Sequence, residues 1–83
     1  MIERKAYLEM CQKVAILPNG VQNLKQNVPD ELKVVYEDIA YYPVSLDISF
    51  DKGGKAINTA ILHSLTANSI IERNLKDISV YEN

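Results

Sequence analysis

The chain has 83 residues, 47% hydrophobic and 24% charged, which fits one domain over 1–83 and is too apolar for a disordered chain. A net charge of −2 and a pI near 5.2 argue against general nucleic-acid binding, which leaves a basic footprint. One cysteine excludes an internal disulfide and a thiolate metal cluster and suits a reducing cytoplasm, and no apolar run approaches the ~20 residues of a membrane span.

MIERKAYLEMCQKVAILPNG reads as a helix. Tyr7, Met10, Cys11, Val14 and Leu17 recur at steps of three and four and share a face, with Glu3, Arg4, Lys5, Glu9, Gln12 and Lys13 opposite. It is charged and amphipathic, without the apolar core of a secretory signal. Pro18, Asn19 and Gly20 are a stop signal. In the polar stretch that follows, Val21, Leu24 and Val28 read as anchors, and Pro29-Asp30-Glu31 as a single helical turn.

From Leu32 the period changes to two. LKVVY reads as a strand, Glu37-Asp38 as a tight turn, and IAYYPVSLDISF as a long alternating strand. Ile39 and Tyr41 share the phase of Val34 and Tyr36, whereas the later apolar phase is even-numbered, so a bulge or bend is expected near Tyr42-Pro43. DKGGK reads as a two-residue hairpin on Gly53-Gly54. That register sets Lys52 opposite Lys55, Phe50 opposite Ile57, Ile48 opposite Thr59, Leu46 opposite Ile61, Val44 opposite His63 and Tyr42 opposite Leu65. It turns Asn58, Ala60 and Leu62 outward, a face apolar enough to need cover from the helix, a loop or another subunit. SIIERNL and KDISVY follow after the TAN loop. The expected fold is α+β: an N-terminal helix packed on a curved antiparallel β-meander of four or five strands.

Candidate chemistry is sparse. His63, the one histidine, is expected on the core face beside Glu72 or Ile71, with no thiol, hydroxyl or second histidine at a spacing that builds a dyad or a metal site. Cys11 on the helix's apolar face reads as buried and inert. The glycines and lysines of DKGGK resemble an anion nest but are accounted for by a hairpin turn. The carboxylates form neither a spaced acid–base pair nor a calcium loop. No catalytic residue, metal or cofactor is expected. Five tyrosines, two of them adjacent at Tyr41-Tyr42, are the residues most suited to an interface.

The run VPDELKVVYEDIAYYPVSLDISFDKGGKAINTAILHSLTANSI, with the opening ERKAYLEMCQKVAILPNG, resembles small, mostly uncharacterised proteins of Firmicutes phages and prophages. The likeness lies in textures such as YYPV followed by FD, and TAILH followed by ANS. The resemblance implies an accessory protein made in the cytoplasm of a bacterial host, and binding rather than catalysis. The expected function is inhibition of an antiviral defence by a homo-oligomer that sequesters a signalling nucleotide or binds a defence protein. A nucleotide would place phosphates at Lys52, Lys55 or Arg73 and its base on Tyr41 or Tyr42, with His63 and Asn68 as further contacts. The alternative is a small virion or assembly component.

Overall fold

Helix and strand periods segregate along the chain as their spacing predicts. The computed structural model describes residues 2–17 and 28–82. It is an α+β fold, one helix on an open five-stranded antiparallel sheet. Helix α1 (Arg4–Ala15) buries Tyr7 and Val14 and half-buries Met10 and Cys11 along the predicted stripe. The expected stop at Pro18, Asn19 and Gly20 and the anchors Val21 and Leu24 lie outside the described residues, while Val28 is buried.

A 3-10 turn at Asp30–Leu32 follows an extended Pro29, where a single helical turn is expected. The strands are β1 (Val34–Tyr36), β2 (Ile39–Phe50), β3 (Ala56–Ser64), β4 (Ile70–Asn74) and β5 (Ser79–Val80). They lie in the order β4-β3-β2-β1-β5. The last strand therefore returns beside the first, and the sheet is more than a meander. LKVVY contributes a shorter strand than its composition predicts, because Leu32 belongs to the preceding turn and is buried there. Glu37 and Asp38 both take positive φ (49° and 65°), the backbone of a type I′ turn, which asparagine and aspartate tolerate best. Val34 pairs with Tyr41 and Tyr36 with Ile39, in the expected phase.

The β2–β3 ladder carries an irregularity between Pro43 and Ser45, with Val44 as the extra residue. This is the bulge that the switch of apolar phase demands.

The second hairpin corrects the sequence reading. Its loop has three residues, Lys52, Gly53 and Gly54. The Asp51 N–H donates to the Lys55 carbonyl (3.0 Å), and the Gly54 N–H to the Asp51 carbonyl (3.0 Å). The Asp51 carboxylate accepts from the Gly53 and Lys55 amides (2.9 Å each). Gly54 takes φ +82°, the left-handed position that a three-residue hairpin requires. Lys55 thus faces Asp51, and Phe50 pairs with Ala56, Ile48 with Asn58, Leu46 with Ala60 and Tyr42 with His63. The physical reason is the aspartate. Its side chain caps the loop amides and makes the longer turn the better one. A one-residue slip moves every β3 side chain to the other face. Ala60, Leu62 and Ser64 are the buried positions of β3, not Ile57, Thr59, Ile61 and His63. The helix supplies the cover that Asn58, Ala60 and Leu62 need.

The main core joins Ile2 and Tyr7 to Val34, Tyr41, Ala60, Leu62, Leu75 and Ile78. A smaller cluster holds Val14, Val28, Leu32 and Tyr42, and Met10 packs against both. Tyr7 is fully buried, and its hydroxyl lies 3.0 Å from the carbonyls of both Ser45 and Ile61. Burial pushes the Tyr7 phenol and the Cys11 thiol up from their ordinary values.

Tyr7→Phe should lose about 1–2 kcal/mol, since the hydrogen bond of a fully buried hydroxyl to two part-buried carbonyls is lost. Thermal unfolding should show this as a fall of roughly 5–15 °C in Tm. The pH dependence has a definite sign. Both groups hold their protons more tightly when folded, so their contribution is complete at neutral pH. It is lost as pH rises past the ordinary thiol value of about 8.5 and then the phenol value of about 10. In Tyr7→Phe the loss above pH ~10 should shrink while the Cys11 part grows, because the Tyr7 hydroxyl that eases ionisation of the thiol is gone. Tyr42, also pushed up by burial, keeps a remainder. Gly54→Ala should cost about 1 kcal/mol from its positive φ alone, because a Cβ there meets no atom within 4 Å.

Candidate functional site

Residues opposite one another in an antiparallel pair point to the same side of the sheet. With Ala60 and Leu62 under the helix, the intervening Ile57, Thr59, Ile61 and His63 of β3 turn to the far side and are half-buried. Their partners in β2 are Ser49, Asp47, Ser45 and Tyr42. On β4, Glu72 lies opposite Ile61 and Ile70 opposite His63. The far face therefore has an apolar centre of Ile57, Ile61 and Ile70, with Ile70 61% exposed, and two exposed carboxylates, Asp47 and Glu72. Arg73 is on the other face, opposite Ala60. Its guanidinium lies 5.1 Å from the Tyr36 ring centre and donates to the Glu72 carbonyl (2.7 Å).

The face ends at an aromatic pair, where it is closed off because Tyr42 is buried in one cluster with Val14 of the helix, Val28 and Leu32. The rings of Tyr42 and His63 stack at 5.1 Å with 20° between planes. His63 Nδ1 lies 2.9 Å from the Ser64 carbonyl. A carbonyl only accepts, so Nδ1 carries the proton, and in the neutral ring Nε2 holds the free lone pair. The residue opposite His63 is Ile70, neither the Glu72 nor the Ile71 of the sequence reading. The reason lies in the turn. Ser64 Oγ accepts from the amides of Thr66 (3.2 Å) and Ala67 (3.0 Å), and the Ser64 N–H donates to the Ser69 carbonyl (3.0 Å). The loop closes on Ser64 and Ser69, which shifts the pairing.

The residues singled out from the sequence do not converge within one copy. Tyr41 and Tyr42 are buried in different clusters, and His63 occupies a face of the Tyr42 ring. Lys52 and Lys55 sit exposed at the hairpin tip. That is about 30 Å of strand from the Tyr42–His63 pair, at ~3.3 Å per residue. The loop amides there are engaged by Asp51, so DKGGK does not form an open anion nest. Asn68 is exposed in the 65–69 loop. Sequence reasoning missed Ile57, Thr59 and Ile61 as a surface, because the mistaken register put them in the core. A surface pocket of about 360 Å³ is lined by Val35, Ser79, Val80 and Glu82, whose one charge is negative.

The chain matches no protein-family model, no curated protein and no solved structure. No helix among the described residues is long and apolar enough to cross a membrane.

The tautomer is directly testable. Nitrogen-15 NMR of neutral His63 should show Nδ1 protonated and Nε2 bare. An Nε2-protonated ring would mean that the Ser64 carbonyl is not its partner.

Proposed function

We propose that the protein is a non-enzymatic binding protein that works as a homo-oligomer and grips a protein partner with the far face of its sheet. The observation that carries this reading is that face: an apolar centre with the exposed carboxylates Asp47 and Glu72 beside it and a cation, Lys55, at its hairpin end, which complements a surface with an apolar middle and a largely basic rim. Resemblance to phage and prophage proteins supports the context. In that reading the protein is an accessory protein in the cytoplasm of a bacterial host, and the partner is a component of an antiviral defence that it inhibits.

Nucleotide sequestration is the weaker route. The lysines stand far from the tyrosines, the tyrosine rings are buried, and the pocket that includes Glu82 has the wrong sign for phosphate. Catalysis also lacks support. The Cys11 thiol is half-buried and pushed away from the reactive thiolate, and His63 spends one nitrogen on a backbone carbonyl.

The test is phage plating on bacteria that carry a defence system, with and without the protein. The wild type should restore plaques at least tenfold. Thr59→Arg and Ile70→Lys place cations on the face and should abolish the effect while the melting curve stays intact. The same variants should lose the defence protein that the wild type captures. Full activity in both variants would sink the face as the binding surface. A nucleotide-sized mass retained in native mass spectrometry would support sequestration instead, and recovery in purified phage particles would support a virion component.

A further inference from the structure

The outer half of β2 lacks a neighbour on one side. β1 pairs with β2 only as far as Tyr41, so among the described residues the strand beyond it is an edge. Alternation along the ladder fixes which groups are free. The Asp51 N–H points at β3, hence those of Ser49 and Asp47 do too, and the N–H and C=O groups of Leu46, Ile48 and Phe50 point outward. Such a row is a template for another strand. The other edges are guarded: β4 carries Glu72 and Arg73, and β5 has two residues.

The side chains on this edge are also short of cover. On the helix side of the sheet Ile48 is 44% and Phe50 69% exposed, beside Leu46, which packs on the main core. Pro43 and the bulge at Val44 end the regular ladder on one side and the turn at Asp51 ends it on the other. A symmetric antiparallel pairing that keeps to this stretch centres on Asp47 or on Ile48. Centring on Asp47 sets two carboxylates directly opposite each other, which is unfavourable. Centring on Ile48 sets Ile48 against its own copy, Leu46 against the second copy's Phe50, and Asp47 against the second copy's Ser49. Every outward backbone group then meets another outward group.

We propose that two copies of the chain join β2 to β2, antiparallel, about a two-fold axis at Ile48. The proposal rests on the homo-oligomeric part of the reading above and names its interface. The junction makes about six backbone hydrogen bonds. Each exposed Phe50 ring is laid on the Leu46 of its neighbour, so the second copy's ring extends the core of the first. The two sheets become one, and both far faces look the same way.

Sedimentation of the purified chain should give twice its 9.4 kDa mass. Ile48→Lys puts two ammonium groups on the axis and should weaken the dimer about tenfold or more. In a Cys11→Ala background, Ile48→Cys should cross-link two chains under mild oxidation and Asp47→Cys should not. A monomeric wild type would overturn both this interface and the homo-oligomeric reading. An oligomer that tolerates Ile48→Lys and fails to cross-link through Ile48→Cys would overturn the interface and leave oligomerisation standing. Should Ile48→Lys unfold, the cross-link decides.

Discussion

The buried Tyr7 is the point at which helix and sheet are fixed to one another, its ring in the shared core and its one proton on the sheet backbone. The hydroxyl of a fully buried tyrosine must find a partner, and this one lies equally far from two carbonyls, Ser45 on β2 and Ile61 on β3. A hydroxyl donates once, so the two carbonyls share it. The contact falls where the ladder is irregular, beside the bulge that Val44 forms after Pro43. Proline has no N–H to give, and an extra residue disturbs the regular exchange of hydrogen bonds. The helix therefore docks where the sheet is least self-sufficient. Ala60, opposite Leu46, helps by being small and fully buried. Farther out, Arg4 Nε donates to Asn58 Oδ1 at 3.0 Å and sets the direction of the helix along the hairpin.

That docking decides what each side of the sheet is for. A helix with a narrow buried stripe covers one face of part of a sheet. The remaining face must be polar or matched to something else, and here it is mixed: serines, a threonine and carboxylates around Ile57, Ile61 and Ile70. In a chain this small, folding hides only about 60% of the surface that the unfolded state exposes. An uncovered apolar centre is thus an expected cost of size. Asp47 and Glu72 outnumber the cation at its hairpin end, Lys55, and give the face its sign.

Most of the architecture is legible in the sequence because strong local signals set it. The 3-4 spacing from Tyr7 to Val14 defines the helix stripe. The clash of phase between Tyr41 and Leu46 requires a bulge, and Glu37-Asp38 marks the first turn. The second hairpin was not legible from its glycines alone. Gly53-Gly54 signals a two-residue turn by composition, but the deciding residue is Asp51, whose carboxylate reaches two amides beyond it. That single capping interaction moves the register by one and exchanges the faces of β3. The far face, the neighbour of His63 and the burial of Ala60 and Leu62 all follow from it. The one clue was compositional: Asn58, Ala60 and Leu62 were too apolar for an outward face. Tyr41 and Tyr42 show the complementary limit. Their chemistry suits an interface, yet the bulged strand sends each into a different core cluster, and sequence spacing carries no information about which clusters exist.

The free edge and the uncovered face are consequences of one geometry. β2 runs for 12 residues because a long alternating sequence supports it, while β1 stops after three because Leu32 is drawn into the core as part of a turn. The difference in length leaves the outer half of β2 without a partner. The same half is where Ile48 and Phe50 stay exposed, although Arg4 of the helix reaches Asn58 opposite Ile48. Backbone groups and apolar side chains are thus left over at the same place, and a strand from a second copy would answer both needs at once. Joining two edges about a perpendicular axis also sets two far faces side by side, doubling the surface with its acidic flanks. Self-association at the edge and partner binding on the face, both of them proposals, would then reinforce each other, since a partner that touches both copies would gain from having them fixed in one sheet.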